Sequence, residues 1–217
     1  MPRRVEDFRG LTRISRLRIL HAVHRLPGRR LAEIAAEVDL HVNTTREHLA
    51  VLEAEGLVHS LRLVTGVRGR PPVVFHPVTD AHDNDAARQR ADAATARGDL
   101  LRRLAPELDR SAELGAEAMA QLDALYEHLE DIGLEPQPDD SQLRIDVAPC
   151  RYAFAITTER ALVCSVHIQL LKQQLQQLPG PVRLRSVTPF VTPTRCEIAL
   201  AVDSGTQPMA QGATVTA

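Results

Sequence analysis

The residues of this chain best suited to chemistry are its three cysteines, Cys150, Cys164 and Cys196. All three lie in the last third of the 217 residues, with the spacing C-x13-C-x31-C. His167 follows the middle cysteine as C-x2-H, and i,i+3 spacing on a helix directs both side chains to nearly the same face. Thiolates and imidazoles are the ligands of zinc sites and of iron–sulfur clusters, so the pattern is compatible with a metal centre.

Two interpretations of the cysteines stay open from the residues alone, because long gaps carry less information than paired CxxC motifs. One is a metal or redox centre. An odd number of cysteines cannot form a closed set of disulfides, and zinc accepts a Cys₃His ligand set. The other is three buried structural cysteines. A third hypothesis, an enzyme with Cys164 as nucleophile and His167 as base, lacks a nucleophile-elbow glycine pattern, a phosphate loop or an acidic pair. We therefore predict that the protein is not an enzyme.

The composition is that of an ordinary folded protein, with 44% hydrophobic and 25% charged residues. The N-terminal MPRRVEDFRG is charged and leads into no hydrophobic stretch, so no secretory signal is visible. No apolar run is long enough to span a bilayer. We expect a cytoplasmic protein with reduced thiols and no membrane partner.

Three segments near the N-terminus carry apolar residues at helical spacing, and two strand patterns follow them. The predicted helices cover residues 11–26, 31–38 and 41–55, and the predicted strands cover residues 57–63 and 73–75. The two strands flank a tip rich in Gly, Pro and Arg. This order is that of a winged helix-turn-helix DNA-binding domain, which we assign to residues 1–80.

The charge distribution agrees with a DNA-binding N-terminus. Residues 1–76 contain 13 basic and 8 acidic residues, a net charge of +5. Residues 77–149 contain 7 basic and 17 acidic residues, a net charge of −10, and the remainder contains 6 and 3, or +3. A basic module beside an acidic one keeps a polyanion on one side of the molecule.

The third predicted helix would lie in the major groove with its N-terminal residues nearest the bases. Those residues are His41, Asn43, Thr44 and Arg46. Asparagine pairs bidentately with adenine and arginine with guanine, whereas Thr44 suits a phosphate contact. A competing role for Asn43 is that of the helix N-cap.

Arg68 and Arg70 lie at the predicted wing tip, in the run Arg-Gly-Arg-Pro. Extended arginines of this kind enter the narrow minor groove, and a solvated hairpin tip is the alternative. Winged-helix proteins usually read two-fold operators as dimers, so we expect a homodimer on palindromic double-stranded DNA.

The remaining chain predicts an α+β fold: a helical connector at 81–112, a small sensor and dimerisation domain at 113–203, and a disordered tail at 204–217. The connector begins as a helix or linker without a clear apolar face, and a leucine stripe starts at Leu100. Next comes an apolar stripe that suits either a coiled-coil seam or packing on the chain's own sheet. It consists of Leu114, Ala118, Leu122, Leu125, Leu129 and Ile132. The sensor domain would then contain a loop at 136–141, a strand at 143–147, a helix at 159–178 and strands at 182–187 and 195–202, the last two joined by a Pro-rich turn.

The segment NTTREHLAVLEAEGLV resembles the third helix and first wing strand of ArsR-like regulators. The segments LDALYEHLEDIGLEP, APCRYAFA, ALVCSVHIQLLKQQL and TPFVTPTRCEIAL resemble the sensor domain of the related SufR repressors of iron–sulfur cluster assembly. The resemblance implies a repressor that senses redox or iron–sulfur status through a [4Fe–4S] cluster on Cys150, Cys164 and Cys196. Cys150-Arg151-Tyr152 replaces the family's frequent Cys-Pro-Phe, which alters the polarity around the site.

A four-iron cluster on three cysteines needs a fourth ligand. The candidates are His167, a carboxylate such as Glu197, or a small molecule. A zinc- or thiol-based regulator with the same DNA-binding module is the alternative, because zinc accepts Cys₃His ligands tetrahedrally.

Overall fold

The computed structural model describes residue 11 and residues 13–63, 71–139, 143–148 and 153–203, and at residues 108, 138 and 153–158 it describes the backbone alone. Cys150, both wing-tip arginines (Arg68 and Arg70) and the predicted tail at 204–217 lie outside these residues.

Three helices form the N-terminal part of the chain, where the sequence predicts them. They are α1 (Ile14–Arg25), α2 (Leu31–Glu37) and α3 (Val42–Ala54). Their apolar positions meet in one core, whose fully buried members include Leu17, Leu20, Ile34, Leu49 and Leu52. The predicted inner stripes of these helices are therefore the buried faces.

A three-stranded antiparallel sheet follows the helices. Its strands are β1 (Arg29–Arg30), β2 (Val58–Arg62) and β3 (Val73–Pro77), in the order β1-β3-β2. β2 and β3 are the two predicted strands, and Ser60 lies opposite Phe75 in their register. β1 was not predicted, because two arginines before a helix carry no strand pattern.

Residues 85–104 form one long helix, α4 (Asp85–Leu104), rather than a mobile linker. Its buried face consists of small residues: Ala87, Ala91, Ala94 and Gly98. This face packs against α6 (Ala116–Asp131) at such close range that a Cβ on Gly98 would lie 2.2 Å from the Asp123 carboxylate. The predicted leucine stripe is wrong as a packing face, because Leu100, Leu101 and Leu104 are all exposed.

The apolar stripe that suited two interpretations belongs mostly to α6, which a short helix, α5 (Ser111–Leu114), precedes. Gly115 separates the two helices with a φ of +85°, a conformation that favours glycine. Ala118, Leu125 and Leu129 are fully buried within the chain. The coiled-coil interpretation of this stripe is therefore wrong, and packing within the subunit is the role it has.

The C-terminal sheet is antiparallel and contains four strands. They are β4 (Glu135–Asp139), β5 (Arg144–Ala148), β6 (Val182–Thr192) and β7 (Arg195–Val202), in the order β4-β5-β7-β6. The loop predicted at 136–141 is wrong, because most of it forms β4, whose prolines are tolerated at a sheet edge. β6 extends past the predicted turn through Pro189, where its register with β7 is irregular.

The last helix, α7 (Ala153–Gln177), packs against α1, α6 and β6. Glu159 interrupts it with non-helical φ and ψ angles of −132° and 33°. The predicted helix at 159–178 corresponds to the segment after this interruption. The buried residues Leu170, Leu171 and Leu175 join the same core cluster as the residues of α1.

Buried amides connect α7 to the N-terminal part of the molecule. Gln173 donates from Nε2 to the Leu57 carbonyl at 2.8 Å, and its Oε1 accepts from His24 Nε2 of α1 at 2.7 Å. Gln177 donates to the Val78 carbonyl at 3.2 Å. These contacts join α7 to the residue before β2 and to the residue after β3.

Gln121 of α6 joins α7 to β6 inside the core. Its Nε2 donates to the Leu175 carbonyl at 2.5 Å, and its Oε1 accepts from the Val182 backbone N–H at 2.8 Å. The intrahelical donor to Leu175 would be residue 179, but Pro179 has no N–H. Gln121 therefore supplies a bond that the end of α7 lacks.

Replacing Gln121 by Leu should lower the free energy of unfolding by about 2 kcal/mol, since it leaves buried backbone groups without this partner. Urea unfolding followed by circular dichroism measures the change. Gln176→Leu, at an exposed position of α7, is the matched control and should change stability little. Equal losses in the two variants would contradict this role of Gln121.

Candidate nucleic-acid interface and thiol site

The N-terminus of α3 begins with a histidine cap. His41 is the N-cap residue, and its Nδ1 accepts a hydrogen bond from the Asn43 backbone N–H at 3.2 Å. The alternative role of Asn43 as N-cap is therefore wrong, because Asn43 already lies inside the first helical turn. Its side chain is left available for other contacts.

Two of the predicted base-reading side chains contact each other on the exposed face of α3. Arg46 donates from Nη1 to Asn43 Oδ1 at 2.7 Å, and both residues are exposed. Thr44 is half-buried, whereas Thr45 is buried and donates to the His41 carbonyl at 3.2 Å. His41, Asn43 and Arg46 thus form a polar surface at the start of the helix, with Thr44 at its edge.

His48 connects α3 to α1. It hydrogen-bonds Ser15 of α1 through Nε2 at 3.1 Å. Burial lowers the pKa of His48, the nearby guanidinium groups of Arg16 and Arg13 lower it further, and Glu47 raises it. His48 is therefore neutral at neutral pH.

The C-terminal end of α3 is tied to β2 and to α4. The Glu53 carboxylate accepts from the Ser60 backbone N–H at 3.0 Å and from its hydroxyl at 2.7 Å. Asn84, the N-cap of α4, donates to the Glu53 carbonyl at 2.8 Å, and Arg90 donates to the Glu55 carbonyl. The orientation of α3 is thus set by the His48–Ser15 hydrogen bond in its middle and by these contacts at its C-terminal end.

Cys164 and Cys196 are free thiols on different elements, α7 and β7, and both are half-buried. Burial raises the pKa of the Cys164 thiol, and the charge of a Cys196 thiolate raises it further, while Arg160 lowers it. The two thiols are therefore electrostatic neighbours, although 31 residues separate them in the sequence. A raised thiol pKa is the opposite of what a cysteine nucleophile needs, which disfavours the enzyme hypothesis.

The third cysteine follows a strand that pairs with the Cys196 strand. Val147 of β5 lies opposite Cys196 in the β5–β7 register. β5 ends at Ala148, two residues before Cys150 in the sequence. Cys150 itself lies outside the described residues, and within them no group of three or more His, Cys, Asp or Glu side chains could hold a metal ion.

His167 lies next to His128 of α6. Burial lowers the pKa of His167 to about 4. Burial also lowers the pKa of His128 to about 3, with further contributions from His167 and Arg90. Both imidazoles are therefore neutral at neutral pH.

Sequence reasoning missed the glutamines that connect these parts. Gln173, Gln174 and Gln177 are buried, although glutamine is mostly an exposed residue. The signal was their position in LLKQQLQQL, on the apolar side of a long amphipathic helix. Leu170 precedes Gln173, Gln174 and Gln177 by three, four and seven residues, which are helical spacings that mark that side as buried.

A family model described as a helix-turn-helix domain matches residues 15–60. No curated protein and no solved structure matches the chain. The matched residues cover α1, α2, α3 and the start of β2. This confirms the predicted N-terminal helix-turn-helix domain within a mixed helix and strand fold, and it supports a DNA-binding regulator rather than an enzyme.

Every helix of the described chain is too short or too polar to cross a bilayer.

Replacing Arg46 by Ala should weaken binding to a random-sequence duplex by about tenfold and make binding less dependent on salt, since one phosphate- or base-contacting charge is lost. Fluorescence anisotropy over a series of salt concentrations measures both effects. Arg88→Ala is the matched control, because Arg88 is an exposed arginine of α4 paired with Asp85 at 2.7 Å. If both variants lost the same affinity, the α3 surface would not be the DNA contact.

Proposed function

We propose that this protein is a transcriptional repressor whose operator binding is controlled by a [4Fe–4S] cluster on Cys150, Cys164 and Cys196. The observation that carries the proposal is the electrostatic interaction between the Cys164 and Cys196 thiols, which lie on α7 and β7, together with the packing of α7 against α1. The resemblance of the cysteine-containing segments to SufR repressors supports the same ligand set.

The DNA-binding part of the proposal rests on α3. His41, Asn43 and Arg46 would contact base edges in the major groove, and Thr44 would contact a phosphate. β2 and β3 pair antiparallel after α3, as the strands of a wing do. Arg68 and Arg70, between these strands in the sequence, would enter the minor groove. Two copies would bind a palindromic operator as a homodimer.

The residues at the thiol site fit a cluster held by cysteines. Two thiols from separate elements interact electrostatically, and the third cysteine follows in the sequence the strand paired with Cys196. A raised pKa keeps Cys164 protonated in the metal-free chain, so cluster binding would release a proton from it. When bound, the cluster would supply a centre that responds to oxidation and to iron supply.

The fourth iron would take His167 or a small molecule as its ligand. Glu197 pairs with Arg144 at 3.5 Å, and strand alternation directs it to the face of β7 opposite Cys196. Glu197 is therefore disfavoured as a ligand beside Cys196.

α7 would carry the state of the cluster to the DNA-binding helices. Gln173 lies nine residues after Cys164, which is about 14 Å along the helix axis. It contacts His24 of α1 and the Leu57 carbonyl before β2. A small displacement of α7 on cluster loss would therefore reach α1 and the proposed wing, and would favour a second arrangement of the DNA-binding module.

Metal and sulfide content test the proposal first. Anaerobically purified protein should be brown and contain about four irons and four sulfides per chain, and Cys164→Ser and Cys196→Ser should each abolish the colour. Ser165→Ala, next to Cys164 on α7, is the control and should keep the cluster. If the protein were colourless and contained one zinc per chain, the site would be a zinc site and the cluster proposal would be wrong. Protein without metal even after cluster reconstitution would contradict both.

Coupling through Gln173 has its own test. The ratio of duplex Kd values between cluster-free and cluster-loaded protein should be about 5–150 in the native chain, the usual range of coupling between two sites. Gln173→Leu removes both contacts of the side chain, so this ratio should fall towards one while the iron content is unchanged. Gln176→Leu should preserve the ratio. An unchanged ratio in Gln173→Leu would exclude this route.

A thiol-based regulator is the second candidate, and the proximity of Cys164 to Cys196 favours it as well. A two-electron oxidant such as hydrogen peroxide, reduced to water, would convert the two thiols into a disulfide between α7 and β7, and a thiol reductant would restore them. The two candidates differ in iron content. Iron-free protein whose duplex affinity changes on oxidation and returns on reduction would identify the thiol switch.

A further inference from the structure

A cavity of about 460 Å³ lies between α4, α5, α6 and the C-terminal sheet. The sheet contributes residues of β4, β5 and β7 to its wall. Its apolar wall includes Leu101, Leu104, Leu114, Met119, Leu122 and Ile145. A cavity of this size and lining is typical of a site for a small organic molecule.

Leucines at the rim of the cavity are exposed. Leu101 is 54% exposed and Leu104 is 74% exposed, although both lie on the last turns of α4 beside the cavity. Exposed apolar side chains next to an apolar cavity form one continuous surface, which is the feature that marks a binding site. An occupant of the cavity would remove these leucines from water.

The arginines of the wall already have partners of opposite charge. Each of the four arginines that line the cavity forms an ion pair: Arg97 with Glu127 at 2.8 Å, Arg102 with Asp123 at 2.8 Å, Arg110 with Glu113 at 2.9 Å and Arg144 with Glu197 at 3.5 Å. A charged ligand entering this space would lose water without gaining a partner that is not already engaged. The wall therefore selects against charge.

We propose that this cavity binds an uncharged apolar molecule of drug-like size. Its apolar part would lie against Met119 and Leu122 of α6, and Leu101 and Leu104 would close over it from α4. The binding step is independent of the thiol site. Its effect on DNA binding, argued next, rests on the proposed regulatory function.

α4 connects the cavity to α3, the helix proposed to contact the DNA bases. Its first residues contact the end of α3, where Asn84 donates to the Glu53 carbonyl at 2.8 Å and Arg90 donates to the Glu55 carbonyl. Its last two turns form one wall of the cavity. A ligand between α4 and α6 would therefore displace a helix that helps to orient α3, and duplex affinity should respond to it.

Binding can be tested with two fluorescent probes of similar shape and different charge. Neutral phenylnaphthylamine should bind saturably, one molecule per chain, and at least about tenfold more tightly than anionic anilinonaphthalenesulfonate, since only the neutral probe suits a wall without an available charge partner. Full-length protein is used without DNA, so the result does not depend on the regulatory proposal. Absence of saturable binding, or equal affinity for the two probes, would overturn the inference.

Two variants locate the probe in the cavity. Met119→Trp fills the space and should weaken phenylnaphthylamine binding by at least about tenfold, with Leu26→Trp, at an exposed leucine after α1, as its control. Leu104→Gln changes an exposed rim residue without disturbing the core and should weaken binding about threefold, which keeps the test valid if Met119→Trp unfolds. Native affinity in Leu104→Gln, or equal losses in Met119→Trp and Leu26→Trp, would contradict the site.

Two further measurements separate the alternatives. Probe binding is also measured at rising protein concentration, and light scattering measures dimer formation over the same range. If probe binding decreased as dimers formed, a second copy of the chain would cover this surface, and the ligand proposal would be wrong. Unchanged duplex affinity at saturating probe would remove the coupling to α3. Protein that binds the probe but contains neither iron nor zinc, even after cluster reconstitution, would keep this inference and overturn the cluster proposal alone.

Discussion

The packing of α7 against the N-terminal helices is the interaction on which the rest of the structure depends. Apolar side chains alone would allow such helices to slide, because dispersion contacts have little directional preference. Gln173 and Gln177 add directional bonds to the Leu57 and Val78 carbonyls, at the two chain positions where the β2–β3 pair begins and ends. The Val78 backbone N–H also donates a hydrogen bond to the Leu57 carbonyl at 3.3 Å. The position of α7 thereby fixes the base of this strand pair.

Two helices connect the DNA-binding helices with the C-terminal sheet, and they do so in different ways. α7 buries leucines and glutamines, which set both its depth and its register. α4 buries alanines and one glycine, so it approaches α6 closely and leaves its leucines outside. Arg102, in the last turns of α4, keeps this helix joined to α6 through Asp123 at 2.8 Å. The leucines of these turns lie beside the cavity between α4, α6 and the sheet.

The thiol site lies where α7 crosses the C-terminal sheet, so its chemistry acts on the same helix that contacts α1. Partial burial keeps the Cys164 thiol protonated in the metal-free chain, because burial disfavours a negative charge on its sulfur. A thiolate on Cys196 would disfavour that charge further. A positively charged metal centre would reverse that preference. A change at this site would thus alter charge at one end of a rigid helix whose other end is hydrogen-bonded to the DNA-binding part of the chain.

The sequence by itself determined the helices α1, α2, α3 and α6, the pair β2–β3 and the helix-turn-helix domain, because apolar periodicity and glycine or proline stops act over a few residues. Only the tertiary structure decided which side chains meet. The sequence allowed Asn43 as the N-cap of α3, whereas in the structure His41 is the N-cap. Residues 136–139 belong to the edge strand β4 although the segment contains prolines. Cys164 and Cys196 interact electrostatically although 31 residues separate them in the sequence, and Gln173 donates a hydrogen bond to Leu57, 116 residues away. Such contacts depend on strand register and helix packing, which involve residues distant in the chain and leave no local pattern in the sequence.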